Sequence, residues 1–385
     1  MLDTRFAALV VIGCTAGIAA CQGDPAVATD ADVFAASITE TAGVAGPFLL
    51  EIPHDPEPSK LSCVTAVNNE GMMTGWHVVQ IPGGSTTVEA VAVWNRTGKL
   101  IRTWSIGSKP SVIDINDRGQ ILTRDGEPPY SSFEENVFVS TPDGSSAEAP
   151  LPSSAATLLT NDPVRLNRLG HVMATYLLDP ESCRYDPCPP FESIVSTGLG
   201  ALKPPPDPSK QPPGLLPEAD CRGEAIDDNG AVYGSCLVNG QRLHYRWITR
   251  DQPTVFPPKG DAIRYTRIHD VNRYGQLVAE APGTGVFWSQ ATGRFFIPLP
   301  PGVIRQKPVA INDRGVVLLS SNYTEGLTQP ATTVAYWTLT SGTVVLPKGK
   351  WPVAAVHDIN NQGVIVGCVG GDGEKELVPA YWRIQ

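Results

Sequence analysis

One short phrase occurs seven times along the chain: an aliphatic residue, an Asn, two variable residues, a Gly and a second apolar run. Successive copies lie 40 to 60 residues apart. A repeat of that length is typical of an array in which each unit is one supersecondary element, so it constrains the fold strongly. The Asn (Asp in the fourth copy) and Gly positions are Asn68 and Gly71, Asn116 and Gly119, Asn167 and Gly170, Asp227 and Gly230, Asn272 and Gly275, Asn312 and Gly315, and Asn360 and Gly363.

Each repeat contains four strand-like segments. Apolar or alternating runs flank the Asn-x-x-Gly phrase, and a third run ends in an aromatic residue and Trp, as at Tyr336-Trp337 and Tyr381-Trp382. A Gly-bearing turn then leads to a fourth run. Period-two runs separated by short turns indicate antiparallel hairpins. The sequence therefore predicts an all-β fold, a seven-bladed β-propeller with four antiparallel strands per blade.

The ends of the repeat region predict how the ring closes. The seventh repeat stops after its third strand, at Ile384, and a fourth-strand pattern occurs instead at 47–52, before the first repeat. We expect this N-terminal strand to complete the last blade, because sharing a blade between the two chain ends removes an exposed sheet edge.

The repeated phrase has a structural interpretation. The Asn side chain can cap a turn, and Gly accepts the positive φ that such a turn requires. Seven copies in one register fit a hairpin between the first and second strands, and a calcium loop would need more carboxylates than the phrase contains. The Trp positions are expected to lie in the core between blades.

The phrase A-x-x-I-N-x-x-G-x-V-x-G, followed by a strand ending in an aromatic residue and Trp, resembles the HAF-repeat family of bacterial extracellular proteins. Residues 354–367 with Ala380-Tyr381-Trp382 carry the best match within the chain, and residues 310–318 with Ala335-Tyr336-Trp337 follow. The resemblance covers about residues 47–385 and implies a secreted or surface propeller. The family carries no settled catalytic activity that the resemblance could transfer to this chain.

The N-terminal segment indicates export. Residues 6–20 are apolar and uncharged, too few to span a bilayer, and end in Ile18-Ala19-Ala20-Cys21. This ending predicts a lipoprotein signal with Cys21 as the acylated residue; an ordinary signal with a chance Cys is the alternative. We expect a signal peptide at 1–20, a flexible tether at 21–46 and the propeller at 47–385, anchored to the bacterial envelope, in the outer membrane, facing the periplasm or the exterior.

Six further cysteines in an exported chain predict disulfides. Cys221 and Cys236 flank the fourth turn symmetrically and should pair across one hairpin. Cys63 and Cys368 should then join the first and last blades. Cys183 and Cys188 should close a small loop, for which metal binding is the alternative.

Composition excludes some functions. The net charge is −10 and basic clusters are lacking, so nucleic acid is not an expected partner. No common catalytic or nucleotide-binding motif occurs, and neither a cofactor nor a metal is expected. Asp114, Asp270 and Asp358 occupy one register position, with His269 and His357 beside the last two. They are either acid–base or cation-binding groups near the central channel or structural residues that support the turns.

Loop lengths separate the two faces of the ring. The Asn-x-x-Gly turns are short and uniform, whereas the connections on the opposite face are long and variable, and function on repeat scaffolds concentrates in such loops. These connections are 77–87, 124–133, 177–190, 204–220, 320–332 and 369–377. The residues that we expect to contact a ligand are Arg184, Tyr185, Asp186, His77, Tyr130 and Tyr323.

The sequence thus predicts a monomeric, surface-anchored, non-catalytic binding or scaffold propeller. Its ligand would be a glycan, a peptide or an envelope partner, recognised through the variable loops. The alternative is a secreted propeller hydrolase or lyase with a site at the mouth of the channel.

Overall fold

A computed structural model describes most of the repeat region. The described residues are 43–52, 61–80, 87–105, 110–125, 136–141, 143, 145–149, 157–158, 163–177, 192–197, 200–201, 221–238, 241–249, 251, 253–256, 267–324, 333–371 and 377–385. They belong to the compact unit Ala36–Gln385. None of them lies in a helix long and apolar enough to cross a membrane.

The described residues form 29 strands. In chain order these are β1 (Val44–Leu49), β2 (Ser62–Val67), β3 (Met73–Gln80), β4 (Thr87–Trp94), β5 (Leu100–Trp104), β6 (Pro110–Ile115), β7 (Ile121–Asp125), β8 (Asn136–Ser140), β9 (Ser146–Glu148), β10 (Thr157–Leu158), β11 (Arg165–Leu166), β12 (Val172–Leu177), β13 (Glu192–Ser196), β14 (Gly200–Ala201), β15 (Cys221–Ile226), β16 (Val232–Val238), β17 (Gln241–Trp247), β18 (Pro253–Val255), β19 (Arg267–Val271), β20 (Leu277–Ala281), β21 (Thr284–Ser289), β22 (Gly293–Phe296), β23 (Val303–Ile311), β24 (Val317–Thr324), β25 (Thr333–Thr338), β26 (Gly342–Val345), β27 (Val353–Ile359), β28 (Val364–Gly370) and β29 (Leu377–Ile384).

The strands pair into antiparallel sheets of the kind that forms a propeller blade. Within the described residues, sheet 1 contains β2–β5, sheet 2 β6–β9, sheet 3 β10–β14, sheet 4 β15–β18, sheet 5 β19–β22, sheet 6 β23–β26, and sheet 7 β27–β29 with β1. All have four strands except sheet 3, where β10 and β11 both pair with β12. The predicted all-β propeller of four-stranded antiparallel blades is therefore confirmed.

The N-terminal strand lies at the outer edge of sheet 7. Strand β1 pairs antiparallel with β29, with Val44 opposite Ile384 and Phe48 opposite Tyr381. It starts at Val44, inside the segment 21–46 that the sequence assigns to a tether. The first and last described strands thus share one sheet, in which β1 covers the edge that β29 would otherwise expose.

The core lies between neighbouring sheets. Trp94, Trp247 and Trp382 are fully buried, and the cluster around Trp382 combines residues of sheets 6 and 7. The N–H groups of two of these indoles form hydrogen bonds. Nε1 of Trp94 donates to the carbonyl oxygen of Glu51, and Nε1 of Trp382 donates to that of Pro347, each over 2.7 Å. The expectation that the Trp positions form the core between sheets is confirmed. Between sheets 2 and 3, aliphatic side chains form the core.

Sheets 1 and 7 lie side by side although they come from opposite ends of the repeat region. Cys63 and Cys368 form a disulfide across this boundary, with a Cα–Cα distance of 5.0 Å. Cys221 and Cys236 form a second disulfide between directly opposed residues of β15 and β16. Both predicted pairings are confirmed, whereas Cys183 and Cys188 lie outside the described residues.

Candidate functional site: the central channel

The first full strand of each repeat forms the wall of a central channel. These inner strands are β2, β6, β11, β15, β19, β23 and β27, and neighbours among them contact one another. Each runs towards its Asn-x-x-Gly turn, so the turns lie together at one end of the channel, which we call the turn face. Across this channel, a guanidinium nitrogen (Nη2) of Arg165 in sheet 3 donates to the carbonyl oxygen of His269 in sheet 5 over 3.3 Å.

The seven turns share a geometry that rests on the Asn side chain and the Gly backbone. In the last turn, Oδ1 of Asn360 accepts hydrogen bonds from the backbone N–H groups of Gln362 and Val364. The Gly residues of all seven turns have φ between 71° and 88°, the left-handed region that suits Gly. The predicted structural role of the phrase is therefore present in every copy.

The same Asn side chains also link neighbouring sheets. While Oδ1 caps its own turn, Nδ2 donates to the carbonyl oxygen of the corresponding residue in the next sheet, so both ends of a buried amide are used. These bonds run from Asn68 to Asn116 (3.1 Å), Asn116 to Asn167 (3.4 Å), Asn167 to Asp227 (3.0 Å), Asn272 to Asn312 (2.9 Å), Asn312 to Asn360 (2.9 Å) and Asn360 to Asn68 (2.9 Å). We call this series the amide circle.

Asp227 interrupts the amide circle because a carboxylate has no amide hydrogen to donate. Its Oδ1 still caps the turn through Asn229 and Ala231, and its Oδ2 lies 3.6 Å from Nη2 of Arg246. Nδ2 of Asn229 then donates to the carbonyl oxygen of Arg273 over 3.0 Å and supplies a link to sheet 5.

The three Asp residues at one register position bridge neighbouring inner strands. Oδ2 of Asp358 accepts the backbone N–H of Val67 over 2.8 Å, and Oδ2 of Asp270 accepts that of Ile311 over the same distance. Oδ2 of Asp114 accepts the N–H of Leu166 over 3.3 Å. These residues therefore lie at the channel and support the strands that precede the turns, as the structural interpretation proposed.

Burial and repulsion between carboxylates raise the pKa values of these three Asp residues. Burial raises the pKa of Asp114 to about 7, partly offset by the charge of Arg165. Burial and the nearby charge of Asp114 raise the pKa of Asp358 to about 8. Burial also raises the pKa of Asp270 to about 6. The charges of all three carboxylates act on Arg165, so its guanidinium group is the positive charge that lies near them in the channel.

A His–carboxylate pair lies on the channel wall of sheet 5. Nε2 of His269 lies 3.4 Å from Oε2 of Glu280, whose other oxygen accepts a 2.9 Å hydrogen bond from Nη2 of Arg305. The imidazole and the carboxylate are 15% and 19% exposed, so both keep some contact with solvent. Burial lowers the pKa of His269 to about 4, and Arg267 adds to this effect, so the imidazole is neutral at pH 7.

Two features could suggest a metal. At the turn face, a cavity of about 140 Å³ is lined by carboxylates that include Asp117, Asp228 and Asp313. Asp117 and Asp313 are already engaged by Arg168 and Arg273. Separately, Cys63, Cys368 and His357 place potential ligand atoms within 4.8 Å of one another, but the disulfide occupies both sulfur atoms.

The sequence-predicted ligand contacts divide between described and undescribed residues. His77 lies in β3, where its buried ring forms a 2.6 Å hydrogen bond through Nδ1 with Oγ of Ser62. Tyr323 lies in β24. Arg184, Tyr185, Asp186 and Tyr130 lie outside the described residues. The assignment of these six residues to a ligand site stays a prediction.

Sequence reasoning missed Arg165 and Glu224, which lie on inner strands, and Glu280, which lies on β20 beside His269. Arg165 stands two positions before its turn Asn, the position that Asp114 holds in sheet 2, and Glu224 stands three positions before Asp227, where His269 and His357 stand in their own sheets. Aligning the repeats on the turn residue, and comparing each column, would have identified Arg165 and Glu224.

We expect the stability of the protein to fall between pH 6.5 and pH 8.5. Asp114, Asp358 and Glu224 have pKa values raised to about 7, 8 and 7, so the folded state holds more protons than the unfolded chain until these groups ionise. Burial lowers the pKa of His244 and His269 to about 4, which makes stability rise with pH only up to their ordinary pKa of 6.5.

Urea unfolding at the two pH values measures this effect. Asp358→Asn should flatten the decline above pH 6.5, whatever its effect on absolute stability. A midpoint that rises from pH 6.5 to pH 8.5 would contradict the assignment of these pKa values.

The comparisons with known proteins identify the fold. The β-propeller domain of the Trilobed protease from Pyrococcus furiosus, described as having an open velcro topology, is 11% identical, with a TM-score of 0.53 over 84% of this chain and 94% of that one. Pyrococcus horikoshii acylaminoacyl peptidase is 10% identical, with a TM-score of 0.52 over 81% of this chain and 49% of that one. Virginiamycin B lyase from Staphylococcus aureus is 15% identical, with a TM-score of 0.44 over 83% of this chain and 94% of that one.

The likeness to the Trilobed protease domain establishes a propeller fold and nothing about activity. The chain matches no protein-family model and no curated protein sequence. The resemblance to the HAF-repeat family therefore stays a prediction.

Proposed function

We propose that this protein is an exported, lipid-anchored binding or scaffold propeller of the bacterial envelope. It recognises a glycan, a peptide or an envelope partner through the face opposite the Asn turns. In this proposal the seven sheets are the blades of one closed ring, β1 completes the last blade, and Cys21 carries the lipid. The protein acts as a monomer and does not bind nucleic acid.

The observation that carries this proposal is the internal use of polar groups at the turn face. There the Asn amides bond to the next sheet, and side chains one position later also join neighbouring turns, as Asp117 does with Asn69 and Asn361 with Asp313. Groups already bonded within the protein offer little to a ligand. The long connections on the opposite face do not repeat, and such loops commonly carry the binding function of a repeat scaffold.

The disulfides support the export part of the proposal. Cys63–Cys368 and Cys221–Cys236 are the kind of bridge that persists in an oxidising compartment. Mass spectrometry of the N-terminal peptide tests the anchor, since lipidation should be present in the wild-type chain and lost in Cys21→Ala.

An array of envelope glycans and peptides tests the recognition face. We expect the full-length protein to bind a subset of the array, and replacing Arg184, Tyr185 and Asp186 together with Ala should abolish that binding. The matched control replaces Arg118, Tyr274 and Glu70, the same classes of side chain at exposed positions of the turn face. Equal binding by the two triple variants, or no binding by the wild type, would contradict the proposal.

The His269–Glu280 pair favours one alternative, a hydrolase or lyase acting at the mouth of the channel. A neutral imidazole beside a carboxylate that orients it can act as a general base. If this alternative holds, mass spectrometry will find a changed ligand after incubation with the wild type but not with His269→Ala. Recovery of the ligand unchanged from both proteins would favour binding alone.

A further inference from the structure

Five of the seven sheets place a Trp at one register position, opposite the residue that stands five positions after the turn residue. These are Trp94, Trp247, Trp288, Trp337 and Trp382, and all five are buried. Each indole packs in a cluster with residues of the preceding sheet, which for Trp94 is sheet 7. The ring of Trp288 in sheet 5, for example, lies 4.5 Å from that of Phe256 in sheet 4.

Sheets 2 and 3 carry small hydroxyl residues at this position. Ser140 stands opposite Ile121 in sheet 2. In sheet 3, Thr197 stands opposite Val172: its backbone N–H donates to the Val172 carbonyl oxygen, and its Oγ1 accepts the Val172 N–H, each over 2.9 Å. The boundary between sheets 1 and 2 still receives an indole, because Trp104 of β5 packs against the cluster there. The described core between sheets 2 and 3 is aliphatic and contains no indole.

A cavity of about 390 Å³ lies at the boundary between sheets 2 and 3. Val139 and Ala149 line it from sheet 2, and Val172 and Thr197 line it from sheet 3. Ala149 and Val172 are buried, whereas Thr197 and the lining residue Glu148 are exposed. The cavity therefore has an apolar inner wall and a polar mouth that opens to solvent, the usual arrangement of a small-molecule site.

The other boundaries indicate what shape of ligand this space accepts. At the same register position, two neighbouring sheets hold a planar bicyclic ring between them, as they do around Trp337 and Trp382. An apolar cavity of about 150 Å³ is enough for benzene, so a cavity of about 390 Å³ accommodates a bicyclic ring and a substituent. The carboxylate of Glu148 at the mouth can accept a hydrogen bond from a ring N–H.

We infer that this cavity binds a small molecule that carries a bicyclic aromatic ring of the size of indole. The ring would lie between sheets 2 and 3, in the place that Trp side chains take at the other boundaries. The lining also includes Gln120 and Gly170, which belong to two Asn-x-x-Gly turns, so the site lies near the turn face. It goes beyond the proposed function, which concerns the opposite face, and does not depend on it.

Fluorine NMR titration of the full-length protein with 5-fluoroindole tests the inference. We expect a saturable shift of the fluorine signal, and cyclohexanol, whose ring is saturated and puckered, should not displace the probe. Thr197→Trp would place the chain's own indole in the cavity. This variant should weaken binding of 5-fluoroindole by at least about tenfold, because the space is then filled. It should also raise the midpoint of urea unfolding, since filling a cavity commonly stabilises a protein.

Thr340→Trp is the matched control. Thr340 is an exposed residue of the turn between β25 and β26 and does not line the cavity. The same substitution there should change the affinity for 5-fluoroindole by less than about twofold and should not raise the urea midpoint. If Thr197→Trp lacks the native near-ultraviolet circular dichroism spectrum, Ala149→Leu, which narrows the inner end of the cavity, provides the same comparison.

Equal binding by the wild type and Thr197→Trp, or no binding by the wild type, would overturn the inference. A higher affinity for a blocked Gly-Trp-Gly peptide than for 5-fluoroindole would also overturn it, because the cavity would then hold a Trp side chain of a partner polypeptide. Binding of the array ligand depends on Arg184, Tyr185 and Asp186 and should be the same in Thr197→Trp, so the proposed function stands or fails separately.

Discussion

Replacing Cys63 and Cys368 with Ser is expected to lower the free energy of unfolding by about 5 kcal/mol. The two residues are 305 positions apart in the chain. A crosslink that closes so long a loop restricts the unfolded chain strongly, whereas the bridge between Cys221 and Cys236 spans 15 positions and should contribute about 3 kcal/mol.

The second disulfide is the matched control. All four cysteines are buried, so each double Ser variant places two hydroxyl groups in the interior. Urea unfolding of the two variants, with near-ultraviolet circular dichroism to confirm native packing, measures the difference. An equal or smaller loss for Cys63→Ser/Cys368→Ser would mean that sheets 1 and 7 hold together without help from the bridge.

Local patterns made much of this fold predictable. The Asn-x-x-Gly turns and the Trp positions specify hairpins and a buried face within each repeat, and their count led to seven repeats. The pairing of Cys63 with Cys368 followed from the meeting of the first and last repeats, even though 305 residues separate them. Strand β10, the second short strand that pairs with β12, has no counterpart among the described residues of the other sheets and was not predicted.

The contacts between sheets were less predictable, because they depend on how neighbouring sheets are shifted relative to each other along the channel axis. The sequence indicated that Asn312 caps a turn, but not that its amide reaches the carbonyl oxygen of Asn360 in the next sheet. Arg165 likewise acquires its role from residues of sheets 2, 5 and 7 that converge on it. No spacing within one repeat reveals such neighbours.

The amide circle makes one conservative change costly. Asn360→Asp should lower the free energy of unfolding by about 3 kcal/mol at pH 8, because the new oxygen would face the carbonyl oxygen of Asn68 in a buried site without a donor. Asp227 tolerates the same group because Arg246 lies beside it. The residue aligned with Arg246 in sheet 7 is Tyr381, which offers no positive charge.

Urea unfolding of Asn360→Asp across pH distinguishes this explanation from a general packing defect. When the new carboxyl is protonated it can donate to the Asn68 carbonyl, so stability relative to the wild type should recover as the pH falls towards 4. Asn95→Asp is the control: Oδ1 of Asn95 caps an exposed turn through Thr97 and Lys99, and its replacement should cost less than about 0.5 kcal/mol. A loss in Asn360→Asp that does not change with pH would show that the lost amide hydrogen bond, rather than an unpartnered carboxylate, accounts for the whole effect.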